Sequence, residues 1–152
     1  MSRALDDLCP LLLPQAFELI ARCAEHSVPL LVVDTLRTVA EQAINLSLGR
    51  SATANSKHIA ATNSACPECH GTKSHAIDVA PYETFNLHGP DKVQWSVWLK
   101  DPSADLPPEA RLACMKPEWQ RIGLIAESLG LRWGGRWKKP VDPGHAELVL
   151  AT

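Results

Sequence analysis

Prolines bracket the segments of this chain that can form regular structure, because proline lacks an amide donor and biases the preceding residue away from the helix. Before Pro29, residues 14–26 place Phe17, Ile20, Ala21 and Ala24 at helical spacing, which predicts an amphipathic helix. After it, LLVVD (30–34) reads as a buried strand. Thr38 and Glu41 form a capping-box pair that opens a second helix through about Leu48. HAIDVA (75–80) is short and partly β-branched, and Pro81 marks its expected end. Pro117 suits the first position of a helix whose apolar face is Trp119, Ile122, Ala126 and Leu129, with Gly130 as its stop. HAELVLA (145–151) alternates like a strand. Between these elements, residues 49–74 read as a long polar loop. Residues 83–116 show little periodicity apart from the aromatic VQWSVWL (93–99). The expected class is α+β: one domain over 1–152, with two or three helices beside a small, mostly antiparallel sheet.

Composition narrows the functional classes. The 152 residues carry a net charge of −2, so no global positive field gathers nucleic acid or anionic lipid. A local basic group, Arg132, Arg136, Lys138 and Lys139, reads as a solvated face. No stretch approaches the ~20 apolar residues of a membrane span. The opening MSRALDDLCPLLLPQAF has Asp6-Asp7 where a signal peptide needs positive charge. The expectation is a monomer made in the cytoplasm without membrane insertion. Five cysteines are an odd set that argues against a disulfide scaffold, and Cys9, Cys23 and Cys114 read as plain buried thiols.

Chemistry concentrates in three fragments: Ser56-Lys57-His58, Ala76-Ile77-Asp78 and Asp142-Pro143-Gly144-His145. Taken singly, each has a plain reading. His58 is then an exposed loop histidine, Asp78 a structural carboxylate, Asp142-Pro143-Gly144 a turn, and Arg37 half of a surface ion pair. Taken together, they resemble the zinc D-alanyl-D-alanine and L-alanyl-D-glutamate peptidases, the group that includes phage endolysins. That family carries Ser-x-His-x-x-Gly-x-Ala-x-Asp and, later, an acidic residue three positions before a histidine. Ser56, His58, Ala76 and Asp78 match the first motif, and Asp142 and His145 match the second. DTLRTVAEQ (34–42) is similar to the family's arginine-bearing turn, and LGLRWGGRW (129–137) to its tryptophan-rich approach to the last strand. The likeness runs over roughly residues 15–150. It departs at one place: His58 and Asp78 are 20 positions apart where the family motif has seven, a thirteen-residue insertion within 59–74, and Ser74 takes the motif's glycine position.

The resemblance implies a hedgehog/DD-peptidase-like fold and one Zn²⁺ held by His58, Asp78 and His145. Two imidazoles, a carboxylate and a water make a tetrahedral catalytic site with one open position. Asp142 is then the general base, and Arg37 the cation facing the tetrahedral oxyanion. Ser56 orients the loop of the first ligand, and Glu147, on the His145 side of the strand, hydrogen-bonds that imidazole. Trp133 and Trp137 are packing residues that can also wall the cleft. His75, an odd number of residues from Asp78, is expected to point away from the metal. The implied substrate is bacterial peptidoglycan, reached after release from the host cytoplasm. L-alanyl-D-glutamate cleavage is favoured, with D-alanyl-D-alanine cleavage next. A non-catalytic metal-binding module is the alternative of another class. Separately, Cys66-Pro67-Glu68-Cys69-His70 can bind a structural metal through Cys66, Cys69 and His70, with His88 or Cys114 as fourth ligand. CxxCH is also the c-type haem attachment pattern.

Overall fold

The computed structural model describes residues 1–83, 92–93, 95–102, 105–138 and 140–150; His88, Lys139, Gln94 and Ala151 of the sequence reading lie outside them. The elements run α1 (Leu13–Glu25), β1 (Leu30–Asp34), α2 (Val39–Ser47), β2 (Ala76–Glu83), β3 (Lys92–Val93), α3 (Pro108–Leu112), α4 (Pro117–Ser128), β4 (Arg132–Trp133) and β5 (His145–Glu147). All strand pairs are antiparallel, in the order β1-β2-β5-β4, with β3 beside β2. Helices α1 and α4 pack on each other and, with the sheet, enclose one core containing Leu12, Leu19, Ile77, Ile122 and Trp133. The α+β class holds, with four helices among the described residues instead of two or three.

Local chemistry explains most boundaries. Thr38 Oγ1 accepts from the Glu41 amide at 3.1 Å and Glu41 Oε2 from the Thr38 amide at 2.8 Å, so the capping box is closed in both directions. Pro117 opens α4, whose buried face is Trp119, Ile122, Gly123 and Ala126. Gly130 follows its C-terminus with φ +81°, a left-handed conformation that glycine takes without a Cβ penalty.

Five expectations are corrected. The buried face of α1 is Ala16, Leu19 and Cys23, continuing from Leu12, while Phe17 is 53% exposed and Ala21 and Ala24 face solvent. Both stripes satisfy helical spacing, and the one turned toward α4 and the core is buried. β1 is half-buried over Leu30–Val33, because it is an edge strand. β2 continues through Pro81, which pairs with Leu30 and falls between the last β5 partner, Asp78, and the first β3 partner, Tyr82; a strand tolerates proline where no ladder bond calls on its amide. α3 lies where no helix was expected, and β5 is only three residues long.

Candidate metal and active site

Three separate elements deliver the three ligand candidates. Asp78 on β2 is the direct cross-strand partner of His145 on β5, so both side chains leave the same face of the sheet. His58 comes from the long loop, which is latched to the β1–α2 turn: the Arg37 amide donates to the His58 carbonyl at 3.0 Å. The His58 amide donates to Ser56 Oγ at 3.2 Å.

The donor atoms converge. His58 Nε2 lies 3.1 Å from Asp78 Oδ1, His145 Nδ1 lies 3.0 Å from the same oxygen, and the two nitrogens are 3.3 Å apart. Ligands about 2.0–2.1 Å from a tetrahedral zinc are separated by about 3.3 Å, so this triangle has nearly the size such an ion requires. The far ring nitrogens are already committed. His58 Nδ1 donates to the Thr35 carbonyl at 2.7 Å, and a carbonyl can only accept, which leaves Nε2 as the lone-pair nitrogen. His145 Nε2 donates to Glu147 Oε2 at 3.1 Å, which directs Nδ1 inward. His75 is buried away from this cluster, as strand alternation predicts.

The electrostatics fit a site that holds a cation. Burial pushes the Asp78 carboxyl up, but the facing imidazoles of His58 and His145 outweigh it and hold the group far below the usual carboxylate range. Burial pushes His145 down; hydrogen bonds to Asp78 and Glu147 overcome that and raise it to about 10. Burial, then repulsion from Asp78, raises Asp142 to about 6. A carboxyl titrating there is poised to exchange protons near neutrality.

Asp142 and His145 belong to one turn, in which the His145 amide donates to the Asp142 carbonyl at 3.2 Å. Two close approaches fix that turn. A Cβ on Gly134 would stand 2.4 Å from the Asp142 carbonyl oxygen, and one on Gly144 would stand 2.5 Å from the Val79 oxygen. Trp133 is a core residue: it fills the space over Gly123 and Gly135, and its Nε1 donates to the Pro143 carbonyl at 2.8 Å. Trp137 instead stands 4.7 Å, centroid to centroid, from the His145 ring. A cavity of about 550 Å³ opens over the three ligand candidates, and Trp137, Arg37, Ser56, Asp142 and Glu147 are part of its wall.

Arg37 is held by two residues the sequence reading passed over. Its Nε donates to Asp34 Oδ2 at 2.9 Å, its Nη2 reaches the same oxygen, and its Nη1 donates to Gln42 Oε1 at 2.6 Å. Its Nη2 also lies 3.4 Å from Asp78 Oδ2. Gln42 in turn donates to the Thr53 carbonyl at 2.6 Å, tying α2 to the cavity rim. Both residues lie inside DTLRTVAEQ. Their signal was a carboxylate closing a strand and an amide one turn into a capped helix, on either side of the arginine.

The CPECH segment behaves differently from its sequence reading. Cys66 and Cys69 are buried, but His70 is exposed and Cys114 is distant, its Sγ near the Ala110 carbonyl. The residues that join the two cysteines are Cys9, expected to be an isolated buried thiol, and His75.

Comparison with known proteins bears on the family and the fold. The family model described as D-alanyl-D-alanine carboxypeptidase matches residues 70–148, just over half of the chain, a span containing Asp78, Asp142 and His145. No curated protein matches the chain. Among solved structures, the Serratia marcescens L-Ala D-Glu endopeptidase ChiX superimposes with a TM-score of 0.54 at 24% identity, over 95% of this chain and 83% of that one. That likeness shows a shared fold. With more than half its length matched by the family model and an α+β fold shared with ChiX, the chain belongs to the D-alanyl-D-alanine carboxypeptidase family of peptidases.

Proposed function

We propose that this protein is a zinc-dependent peptidoglycan peptidase whose single catalytic domain hydrolyses the L-alanyl-D-glutamate bond of the stem peptide. The observation that carries the reading is the ligand triangle of His58, Asp78 and His145, with both outer imidazole nitrogens already bonded and an open cavity on the fourth side. When bound there, Zn²⁺ supplies a Lewis acid that lowers the pKa of a coordinated water to about 7. Asp142, beside the ligands and without a place among them, takes up a proton and returns it to the leaving amine. A spare carboxylate of that kind is what a non-catalytic metal module lacks reason to keep. Arg37, braced by Asp34 and Gln42, presents fixed positive charge where the tetrahedral oxyanion develops. Glu147 and the Thr35 carbonyl hold the two imidazoles in the ligating tautomers. Ser56 steadies the loop of His58, and Trp137 forms a flat wall for the substrate backbone.

The ChiX fold favours the L-alanyl-D-glutamate bond; the family model's description favours D-alanyl-D-alanine cleavage as the second reading. An endolysin-type role, with the chain reaching the wall after release from the cytoplasm, is part of the same proposal. No helix among the described residues is long and apolar enough to cross a membrane. Mass spectrometry of purified peptidoglycan after digestion tests the bond. New N-terminal D-glutamate is expected, released D-alanine supports the second reading, and an unchanged digest with zinc-loaded protein overturns both.

A further inference from the structure

Cys9, Cys66, Cys69 and His75 form a second cluster, separate from the His58–Asp78–His145 site. Their donor atoms all lie within 4.8 Å of one another, and the four residues are between 0% and 4% exposed. We propose that these four residues bind a structural Zn²⁺ in a closed Cys3His site that fastens the inserted loop and the N-terminal segment to the start of β2. The proposal stands on the placement of these residues and does not depend on the peptidase reading.

The dimensions are those of metal ligands. Cys9 Sγ and Cys66 Sγ are 3.7 Å apart, too far for a disulfide, and Cys69 Sγ is 3.3 Å from His75 Nε2. Thiolates about 2.3 Å and an imidazole about 2.0 Å from a tetrahedral zinc lie about 3.8 Å and 3.6 Å apart, close to both separations. Sulfur-rich donors select zinc over the hard cations magnesium and calcium. Four protein ligands leave no open position, so this ion has a structural role, unlike the three-ligand site.

Backbone amides face two of the sulfurs, those of Glu68 and Cys69 toward Cys66 and that of Leu11 toward Cys9, where burial above all pushes the metal-free Cys9 thiol up to about 12. The chain then turns back through His70 and Gly71, at φ +47° and +76°. A Cβ on Gly71 would meet the Ser64 Cα at 3.0 Å, so the return is tight.

The loop needs such a clamp. Within 59–74 the regular structure is one 3-10 turn, Ala60–Asn63, and the buried hydrophobic residues are Ile59, Cys66 and Cys69. Its ends matter to the other site: one follows His58 directly, and the other leads through His75 to Asp78 three residues on. The Cys9 amide donates to the Ser74 carbonyl at 2.8 Å and the His75 amide to the Lys57 carbonyl at 2.9 Å. A metal joining Cys9, Cys66, Cys69 and His75 therefore crosslinks the strands of chain that frame the ligand triangle.

The test uses the whole protein, purified under reducing conditions and loaded with zinc or with cobalt(II). Elemental analysis should give about two zinc per chain, falling to about one in Cys66→Ser/Cys69→Ser and to about one in His58→Ala/His145→Ala. Cobalt-loaded wild type should show intense thiolate-to-metal charge-transfer absorption in the near ultraviolet. A site made of two imidazoles and a carboxylate cannot produce it. The band should survive in His58→Ala/His145→Ala and vanish in Cys66→Ser/Cys69→Ser. Wild type that binds one zinc and shows no such band overturns the proposal, as does a cysteine variant that keeps both ions. Should the cysteine variant fail to fold, wild type still decides the matter. Three thiols should become reactive only after chelation, and equal reactivity with and without zinc overturns the site.

Discussion

Asp78 and His145 face one another across the β2–β5 ladder as direct partners, with Asp78 Oδ1 3.0 Å from His145 Nδ1. Glu147, two residues along β5, bonds the opposite nitrogen of the same ring. The register of one pair of strands thus places two candidate ligands and the carboxylate that orients one of them together. Glu147→Gln should weaken zinc binding at this site by about 10–100-fold with the fold intact, measured by competition with a chromophoric chelator.

Metal uptake should be linked to protons through His145. In the metal-free protein its pKa is raised to about 10, so at pH 7–9 the ion must displace a proton to bind. Apparent affinity should rise with pH, with release of about one proton per ion, read from calorimetry in buffers of different ionisation enthalpy. The same shift sets the stability of the metal-free chain. A folded pKa above the unfolded 6.5 contributes stability that is complete below about 6.5 and is lost as pH rises through about 10.

Asp142→Asn should retain zinc and fold while losing about 10²–10⁴ in kcat. The base must be ionised, so wild-type rate should fall on the acid side as the carboxyl takes up its proton. That limb lies at or below about 6, since a neighbouring cation lowers the pKa further. The asparagine variant should lose this limb, and near-normal turnover would remove Asp142 from the role.

Arg37→Met should cost stability as well as activity. Arg37 and Asp34 have side chains 10% and 2% exposed, so the substitution leaves a buried carboxylate without its cation. Breaking such a pair costs about 3–5 kcal/mol, which chemical denaturation would read directly. Loss of transition-state charge stabilisation should lower kcat by about 10²-fold in the protein that remains folded.

Gly134→Ala should loosen the turn that carries Asp142 and His145, because its Cβ would meet the Asp142 carbonyl oxygen at 2.4 Å and the His145 Cβ at 3.0 Å. An overpacking cost of about 1–3 kcal/mol and weaker zinc affinity are expected, measured by thermal unfolding with and without metal.

Local signals were legible where one chemistry dominated a short stretch. The Thr38–Glu41 box, Pro117 with its apolar face, and the strand at 30–34 all formed where periodicity and capping put them. Signals failed where two answers satisfied the same local rule. The α1 helix offers two apolar stripes, and only the position of α4 chooses between them. Pro81 looked like a stop, yet it falls in the gap between the last β5 partner, Asp78, and the first β3 partner, Tyr82, where its missing amide is not called on.

By itself, the order of residues indicated the main elements and the α+β class, because those follow from periodicity and capping. It singled out His58, Asp78 and His145 as candidate donors through their likeness to a family motif, while α3 carried no local signal. Tertiary structure decided which donors meet. Cys9 lies 57 residues from Cys66, yet their sulfurs are 3.7 Å apart. His70, beside Cys69 in sequence, faces solvent, while His75 reaches the cluster. Strand register and loop path set those encounters, and both depend on burying one shared core, which no local window of sequence contains.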